Sequence, residues 1–282
     1  MSTDVLVIGG GGTLGRLIGT ELAARGRNPI PFGRSSGNLR DPAVLAAPGA
    51  PIIINCAGAS VAMGLGHGWR GYRAVDVPIG LAAVQAARQT GARLVYVGVH
   101  HAPAQRTTPY VDAHEQVAAA MADVDGAVVR ATGFYSAYMA LLPMAKRGVL
   151  VDVGDGSRRT NPICERDLAE IIVDVALGAD GPRDMSAGGP DVLTRREIFE
   201  IVAAQAKRRV RFGGMPPWLA AIAAGAASIV HPRMGQFMKF AVGLAKHDVI
   251  APALGTTRFS DYSVLSGEPT EAVWKTRSRP SG

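Results

Sequence analysis

The chain has 282 residues, 48% hydrophobic and 19% charged, which excludes wholesale disorder and allows one large domain or a core with an appendage. Its formal net charge is +7, but no helix-turn-helix, zinc-finger or aromatic-basic RNA signature goes with the excess, so nucleic acid is not an expected partner. The two cysteines, Cys56 and Cys164, have no metal-ligand spacing, so neither a disulfide framework nor a metal site is expected, and a reducing cytoplasm fits.

The apolar run "VLVIG" comes almost at once, so no signal peptide is expected. "DVLVIGG" reads as a buried strand. It leads through a glycine turn into a helix that ends at Gly26, with Leu14, Leu17, Ile18, Leu22 and Ala23 at helical spacing. "NPIPFGR" is a second short strand. "APIIINCAG" is a third, since a continuous Ile run bounded by Pro and Gly suits a strand buried on both faces. "VPIGLAAVQAARQTG" is a helix, "ARLVYVGV" a strand, "PYVDAHEQVAAAMADV" a helix and "GAVVRATGF" a strand. This alternation predicts a parallel sheet with right-handed crossovers, hence a doubly wound α/β Rossmann fold.

Residues 1–155 are expected to form the core, the sheet to continue through 158–195, and 196–282 to form a small, mainly helical substrate-binding lobe. In that lobe "TRREIFEIVAAQA" is a helix opened by a Thr194–Glu197 capping box. Residues 214–260, rich in Pro, Ala, Gly and Met, form a helical cap over the open side of the sheet. "WLAAIAAGAASIV" (218–230) is apolar but too short to span a bilayer and reads as a buried or interfacial helix, so a soluble protein without a transmembrane segment is expected. Arg195, Arg196, Lys207–Arg209 and the tail "WKTRSRPSG" read as a solvated basic face, with some charge available to a phosphorylated ligand. Asp167 is expected to cap the helix that follows it. Asn161 and Pro162 read as structural.

The segment "GGGGTLG" places Gly9, Gly12 and Gly15 in G-x-x-G-x-x-G spacing between strand and helix, the context the dinucleotide fingerprint requires. The glycines permit a tight turn and let backbone N–H groups approach a pyrophosphate at the positive helix N-terminus. An NAD-specific site offers Asp or Glu to the ribose about 20 residues beyond the loop. Here the second strand ends in "FGRSS", with no carboxylate before Asp41. Arg34 can pair with a 2′-phosphate, with Ser35 and Ser36 as hydrogen-bond donors, so NADP(H) is expected over NAD(H).

With these pieces assembled, the chain resembles the atypical, NmrA-like branch of the extended short-chain dehydrogenase/reductase superfamily. The resemblance rests on the glycine loop, "INCAG" (54–58), "AARQTGARLVYVGV" (86–99), "AHEQVAAAM" with "VVRATGFYS" (113–136), and "RRTNPICERDLAEIIVDVAL" (158–177). It implies cofactor contacts at Gly9, Gly12, Thr13, Leu14, Arg34, Ala57, Gly58, Thr132 and Phe134. The family's catalytic set is Ser, Tyr and Lys. Tyr110 fits the tyrosine, Val99 or His100 stands at the serine, and His114 stands at the lysine.

Residues four apart in a helix share a face, so Tyr110 and His114 are expected to meet. Histidine, with a reference pKa of about 6.5 against about 10.4 for lysine, cannot supply lysine's permanent field at neutral pH, but it can hydrogen-bond the ribose or relay a proton. His100 and His101 follow the strand at its ligand-binding end, so Tyr110 is expected to supply the proton with His114 or His100 assisting it as catalytic residues. Met234, Met238 and Phe240 read as helical packing or as the wall of an apolar pocket. Three readings stay open: an NADPH-dependent reductase of a small apolar carbonyl or conjugated alkene, a non-enzymatic NADP(H) sensor, and non-redox use of the same fold. The expected partner is a small-molecule substrate, and the expected assembly a monomer or homodimer.

Overall fold

A computed structural model describes residues 3–59, 68–178, 180–263 and 268–269. The basic tail at 274–282, expected to be part of a solvated face, lies outside them. In chain order come β1 (Asp4–Ile8), α1 (Thr13–Ala24), β2 (Asn28–Phe32), the single turn α2 (Pro42–Ala46), β3 (Ile52–Asn55), α3 (Tyr72–Thr90), β4 (Arg93–Val99), α4 (Pro109–Ala120) and β5 (Gly126–Ala131). Two short helices, α5 (Tyr135–Met139) and α6 (Leu142–Lys146), precede β6 (Val149–Val153), β7 (Arg159–Thr160), α7 (Glu165–Leu177) and β8 (Asp184–Ala187). The rest is β9 (Leu193–Thr194), α8 (Arg195–Gln205), β10 (Arg211–Met215), α9 (Pro217–Val230) and α10 (Pro232–Leu244).

Six strands form one sheet in the order β2-β1-β3-β4-β5-β8, every pair parallel. The two-residue period of a strand divides the core between its faces. Val5, Val7, Ile54, Val95 and Val129 pack on α1 and α7, against Ile18, Leu22, Leu168 and Ile172. Leu6, Ile8, Ile53, Leu94 and Tyr96 pack on α3 and α4, against Ile79, Ala83 and Val117. Because β2 is an edge strand, Pro29 and Pro31 fit it without removing a ladder hydrogen bond from the sheet interior.

Several local expectations are corrected. α3 begins at Tyr72, not at Val77, so Pro78 lies inside the helix. A proline there leaves the carbonyl four residues back without its helical donor, and the Arg40 guanidinium donates to that Ala74 carbonyl at 3.2 Å. Asp167 does not cap α7, whose N-cap is Cys164. Its buried carboxylate instead accepts from the backbone N–H of Thr256 and Thr257, both at 2.6 Å, and from the Thr257 hydroxyl at 2.8 Å, clamping the C-terminal segment onto the core. Arg195 is not a solvated charge either, since its guanidinium grips buried Asp152, with Nε 2.9 Å from Oδ1. Arg196 lies over the Phe212 ring at 4.1 Å. The capping box of α8 is present: Glu197 N donates to Thr194 Oγ1 at 3.1 Å, and Thr194 N to Glu197 Oε2 at 2.7 Å.

Asn161, read as structural, is fully buried and knits three segments. Its side chain donates to the carbonyls of Gly189 and Ala251 and accepts from Ala251 N. Beyond the main sheet, β6 pairs in parallel with β10, and α8 packs beside them through Ile198, Phe199 and Val202. α10 rests on α4, where Phe240 meets Val99 and Val111, and α9 packs chiefly on α10. The stretch 218–230, read as a buried or interfacial helix, is buried on one face only: Ala220 and Ala224 are covered, while Trp218, Ile222, Ile229 and Val230 are exposed.

Because Asp167 gathers three donors from the 256–257 segment, Asp167→Ala should lower the unfolding free energy by about 3 kcal/mol in urea denaturation, whereas loss of exposed Asp123, paired with Arg88, should change it far less.

Candidate functional site

The turn between β1 and α1 is built from backbone contacts that a side chain would destroy. Gly9 has φ +91°, in the region that favours glycine, and its N–H donates to Phe32 O at 2.8 Å. A Cβ there would lie 2.8 Å from Ala57 N, one on Gly10 would lie 2.7 Å from Pro31 Cα, and one on Gly15 would strike Gly9 O. The chain therefore doubles back under the start of α1, and β3 closes against it. Gly12 is the N-cap, no side chain caps the helix, and no acidic residue occupies its first turn. The first N–H groups of α1, from exposed Thr13 onward, are thus directed at a surface that accepts an anion. Leu14 is buried and shares a core cluster with Phe134, which sits just past β5.

Charge around this turn is positive. Arg16 donates to Gly11 O at 2.6 Å and so folds over the loop. Arg34 and Ser35, at the end of β2, are exposed, and Arg34 has no hydrogen bond or ion pair among the described residues. Ser36 turns back, its Oγ accepting from Gly33 N at 3.2 Å. On the other flank, Ala57 N donates to Asn55 Oδ1 at 3.1 Å and Ala59 N to Asp76 Oδ1 at 2.6 Å, while Gly58 faces the Asp76 carboxyl. The Asn55 Nδ2 is buried beside this loop with no partner among the described residues, a donor left for something the turn receives. Thr132, also named from the sequence, is committed elsewhere: it is buried, with its hydroxyl donating to Asn161 O at 2.7 Å.

At the other end of the sheet's ligand-binding edge, Tyr110 and His114 do meet, their rings 5.0 Å apart at 82°. Tyr110 also makes edge contacts with Tyr72 and Phe240, each at 4.8 Å. The Tyr96 hydroxyl and His114 Nδ1 share a hydrogen bond of 2.7 Å. Desolvation pushes the His114 pKa down to about 4. Burial, with Tyr72 and Asp76 adding to it, raises the Tyr110 pKa above the ordinary tyrosine value. His100 is not drawn into this cluster through its ring nitrogens: they face Ser186 Oγ at 2.9 Å and Ile250 O at 3.1 Å, and burial lowers its pKa. His101 instead joins Glu115 and Arg130 in an ion network behind α4.

The sequence reading missed Asp76, Tyr72, Asn55 and Tyr96. Asp76 is nearly fully buried, and desolvation pushes its carboxyl up to about 6, against the pull of Ala59 N and Arg233. The available signal was a lone carboxylate inside the apolar stretch "VDVPIG", one helical turn after Tyr72, which places both on one face.

No family model and no curated protein matches the chain. Solved structures do. An NADPH-dependent quinone oxidoreductase from Escherichia coli, complexed with NADPH, aligns with a TM-score of 0.64 at 16% identity over 86% of this chain and 89% of its own. A dTDP-4-dehydrorhamnose reductase from Bacillus anthracis, in complex with NADP, aligns with 0.61 at 15% identity over 77% and 85%. The chain shares the parallel α/β Rossmann fold of these proteins. A Thermus thermophilus UDP-glucose 4-epimerase complexed with NAD extends the likeness, with a TM-score of 0.59 at 18% identity over 86% of this chain and 99% of its own. The fold thus accommodates both reductases and epimerases, and the choice between them falls to the residues of the site.

The neutral His114 gives a direct test. Its pKa of about 4 lies below the value of about 6.5 in an unfolded chain, so its contribution is complete above pH 6.5 and is lost as the pH falls toward 4, where the unfolded chain takes up a proton first. An NMR titration should find the His114 ring resonances flat between pH 8 and 5.5, a range in which free imidazole titrates.

Proposed function

We propose that the protein is an NADPH-dependent reductase of a small, fairly apolar carbonyl or conjugated alkene, of the NmrA-like kind. The observation that carries the reading is the cradle of Gly9, Gly12 and Gly15 under an uncapped helix start, with exposed Arg34 beside it and no carboxylate at the end of β2. These residues fit a dinucleotide. Backbone N–H groups at Thr13 and Leu14 would hold the pyrophosphate, and Ala57 and Gly58 would flank the adenosine side. Arg34 and Ser35 would take the 2′-phosphate, with Phe134 walling the nicotinamide end. The NADP(H) bound by the Escherichia coli and Bacillus anthracis proteins is in keeping with this choice.

Bound there, the cofactor supplies a hydride. The chain's own task is then to orient the substrate and deliver one proton. Tyr110 is the proton donor in this reading, its hydroxyl kept protonated by its apolar surroundings. His114 acts as a neutral hydrogen-bond donor through Nε2 toward the ribose, replacing charge with a fixed dipole. Asp76, with a carboxyl near 6, is the group suited to exchange protons with solvent near neutral pH. His100, tied to Ser186 and Ile250, is a positioning residue for the loop after β4. The lobe expected from 196 onward contributes Phe240 to the substrate side.

One observation favours a second reading. Tyr110 lacks the neighbouring cation that would lower its pKa, as a cofactor-binding sensor without turnover would tolerate.

Calorimetric titration separates these outcomes. NADPH should bind at least about ten-fold more tightly than NADH, and Arg34→Ala should erase the difference. Stopped-flow turnover with quinone and enal substrates should then fall about 100-fold or more in Tyr110→Phe if the protein is a reductase. Tight NADPH binding with no oxidation across such substrates would favour the sensor.

A further inference from the structure

The exposed side of α9 is the least expected surface of the molecule. Trp218 is 66% exposed, Ile222 62%, Ile229 83%, Val230 65% and Leu219 42%. At 100° per residue, positions 218, 222, 226 and 229 fall within one narrow stripe, with 219 and 230 along its edge. Between Pro217 and Val230 there is no charged side chain. The opposite face is sewn to α10 through small residues: Ala220 and Ala224 are buried, and a Cβ on Gly235 would strike Ser228. The stripe is therefore held outward by close helix packing. A contiguous apolar surface of this kind marks an interaction site.

Charge identifies what covers it. Residues 201–247 carry seven lysines and arginines and not one Asp or Glu. The other lysines and arginines of the chain, 30 less these seven, equal its 23 carboxylates, so the formal net charge of +7 belongs to this stretch alone. Lys207, Arg208, Arg209 and Arg211 are exposed just before α9, and Lys239 and Lys246 are exposed on and after α10. A second copy of the chain would bring the same positive charge to the contact, and the tail at 274–282 is itself basic. The surface calls for an occupant both apolar and anionic.

We propose that α9 is an in-plane anchor that seats this protein on anionic lipid bilayers, its apolar stripe entering the headgroup boundary while the exposed lysines and arginines that precede and follow it in the chain draw the protein to the lipid phosphates. A helix with an uncharged apolar face, Trp at one end and cations around it lies in the membrane interface rather than across it. No described helix is long and apolar enough to cross. The proposal goes beyond the reductase reading and does not rest on it.

The test is co-sedimentation of the full chain with phosphatidylcholine vesicles, with and without phosphatidylglycerol. Partitioning should be at least about ten-fold stronger onto the anionic vesicles and fall with added salt. Ile222→Asp and Ile229→Asp, both on exposed positions, should each weaken it about ten-fold while leaving the thermal melt and NADPH binding unchanged. Trp218→Phe should reduce the tryptophan quenching produced by bromine-labelled lipid. Failure to sediment with anionic vesicles would overturn the proposal. So would binding that salt abolishes but the aspartate variants do not alter, which is adsorption without α9. Light scattering that finds a dimer broken by Ile222→Asp, with no vesicle binding, would assign the stripe to a second copy instead.

Discussion

The fold turns on one close approach, that of the first turn of α1 to the backbone leaving β1. Gly15 lies against Gly9 O, Gly9 against Ala57 N and Gly10 against Pro31, with no room for a Cβ at any of the three. That contact lets α1 lie flat on the sheet, fixes the β1–β3 spacing, and aims the uncapped N–H groups of the helix outward. The charges then follow from topology. β2 and β3 flank β1 in the parallel sheet, so the loops after them, carrying Arg34 and Gly58, emerge on either side of the same turn. A turn with outward N–H groups and positive charge on its flanks is a consequence of how the first 58 residues pack.

The second half of the site depends on a different force. Tyr110 is wrapped by Tyr72 from α3, His114 from its own helix and Phe240 from α10, so the chemistry proposed for it takes place among aromatic edges rather than beside a cation. Burial decides the protonation states in this cluster: it keeps His114 neutral, keeps the Tyr110 hydroxyl protonated, and lifts Asp76 toward neutrality. One desolvating environment thus acts in opposite directions on an imidazole and on two acids, as the sign of their charged forms requires. Tyr96 adds orientation by holding the His114 ring through Nδ1.

Much of the fold was legible because parallel strands buried on both faces read as unbroken apolar runs, as "VLVI" and "IIIN" do, and because glycine spacing marks the turn between strand and helix. The Tyr110–His114 contact followed from helical periodicity alone. What escaped the reading depended on contacts between distant segments. The sequence reads as a helix from Val77 onward, and the carbonyl that the interior Pro78 of α3 leaves without a helical donor is met by Arg40, from the loop after β2. Asp167 carries the local mark of a helix cap, but its donors come from Thr256 and Thr257. Arg195 reads as surface charge until β6 delivers Asp152 to it. Asp76 lies on a helix face whose burial depends on the loop after β3. Sequence patterns record which face of an element is apolar, but not which distant polar group will reach it.

The central claim is that the Gly9–Gly15 turn is a dinucleotide cradle, and hydrogen–deuterium exchange with and without NADPH tests it most directly. The account predicts slowed exchange in peptides covering residues 9–16, 33–36 and 56–59, the three loops gathered at the end of β1, and little change in α9. Unchanged exchange in those loops at saturating NADPH, or protection confined to the C-terminal segments, would contradict it.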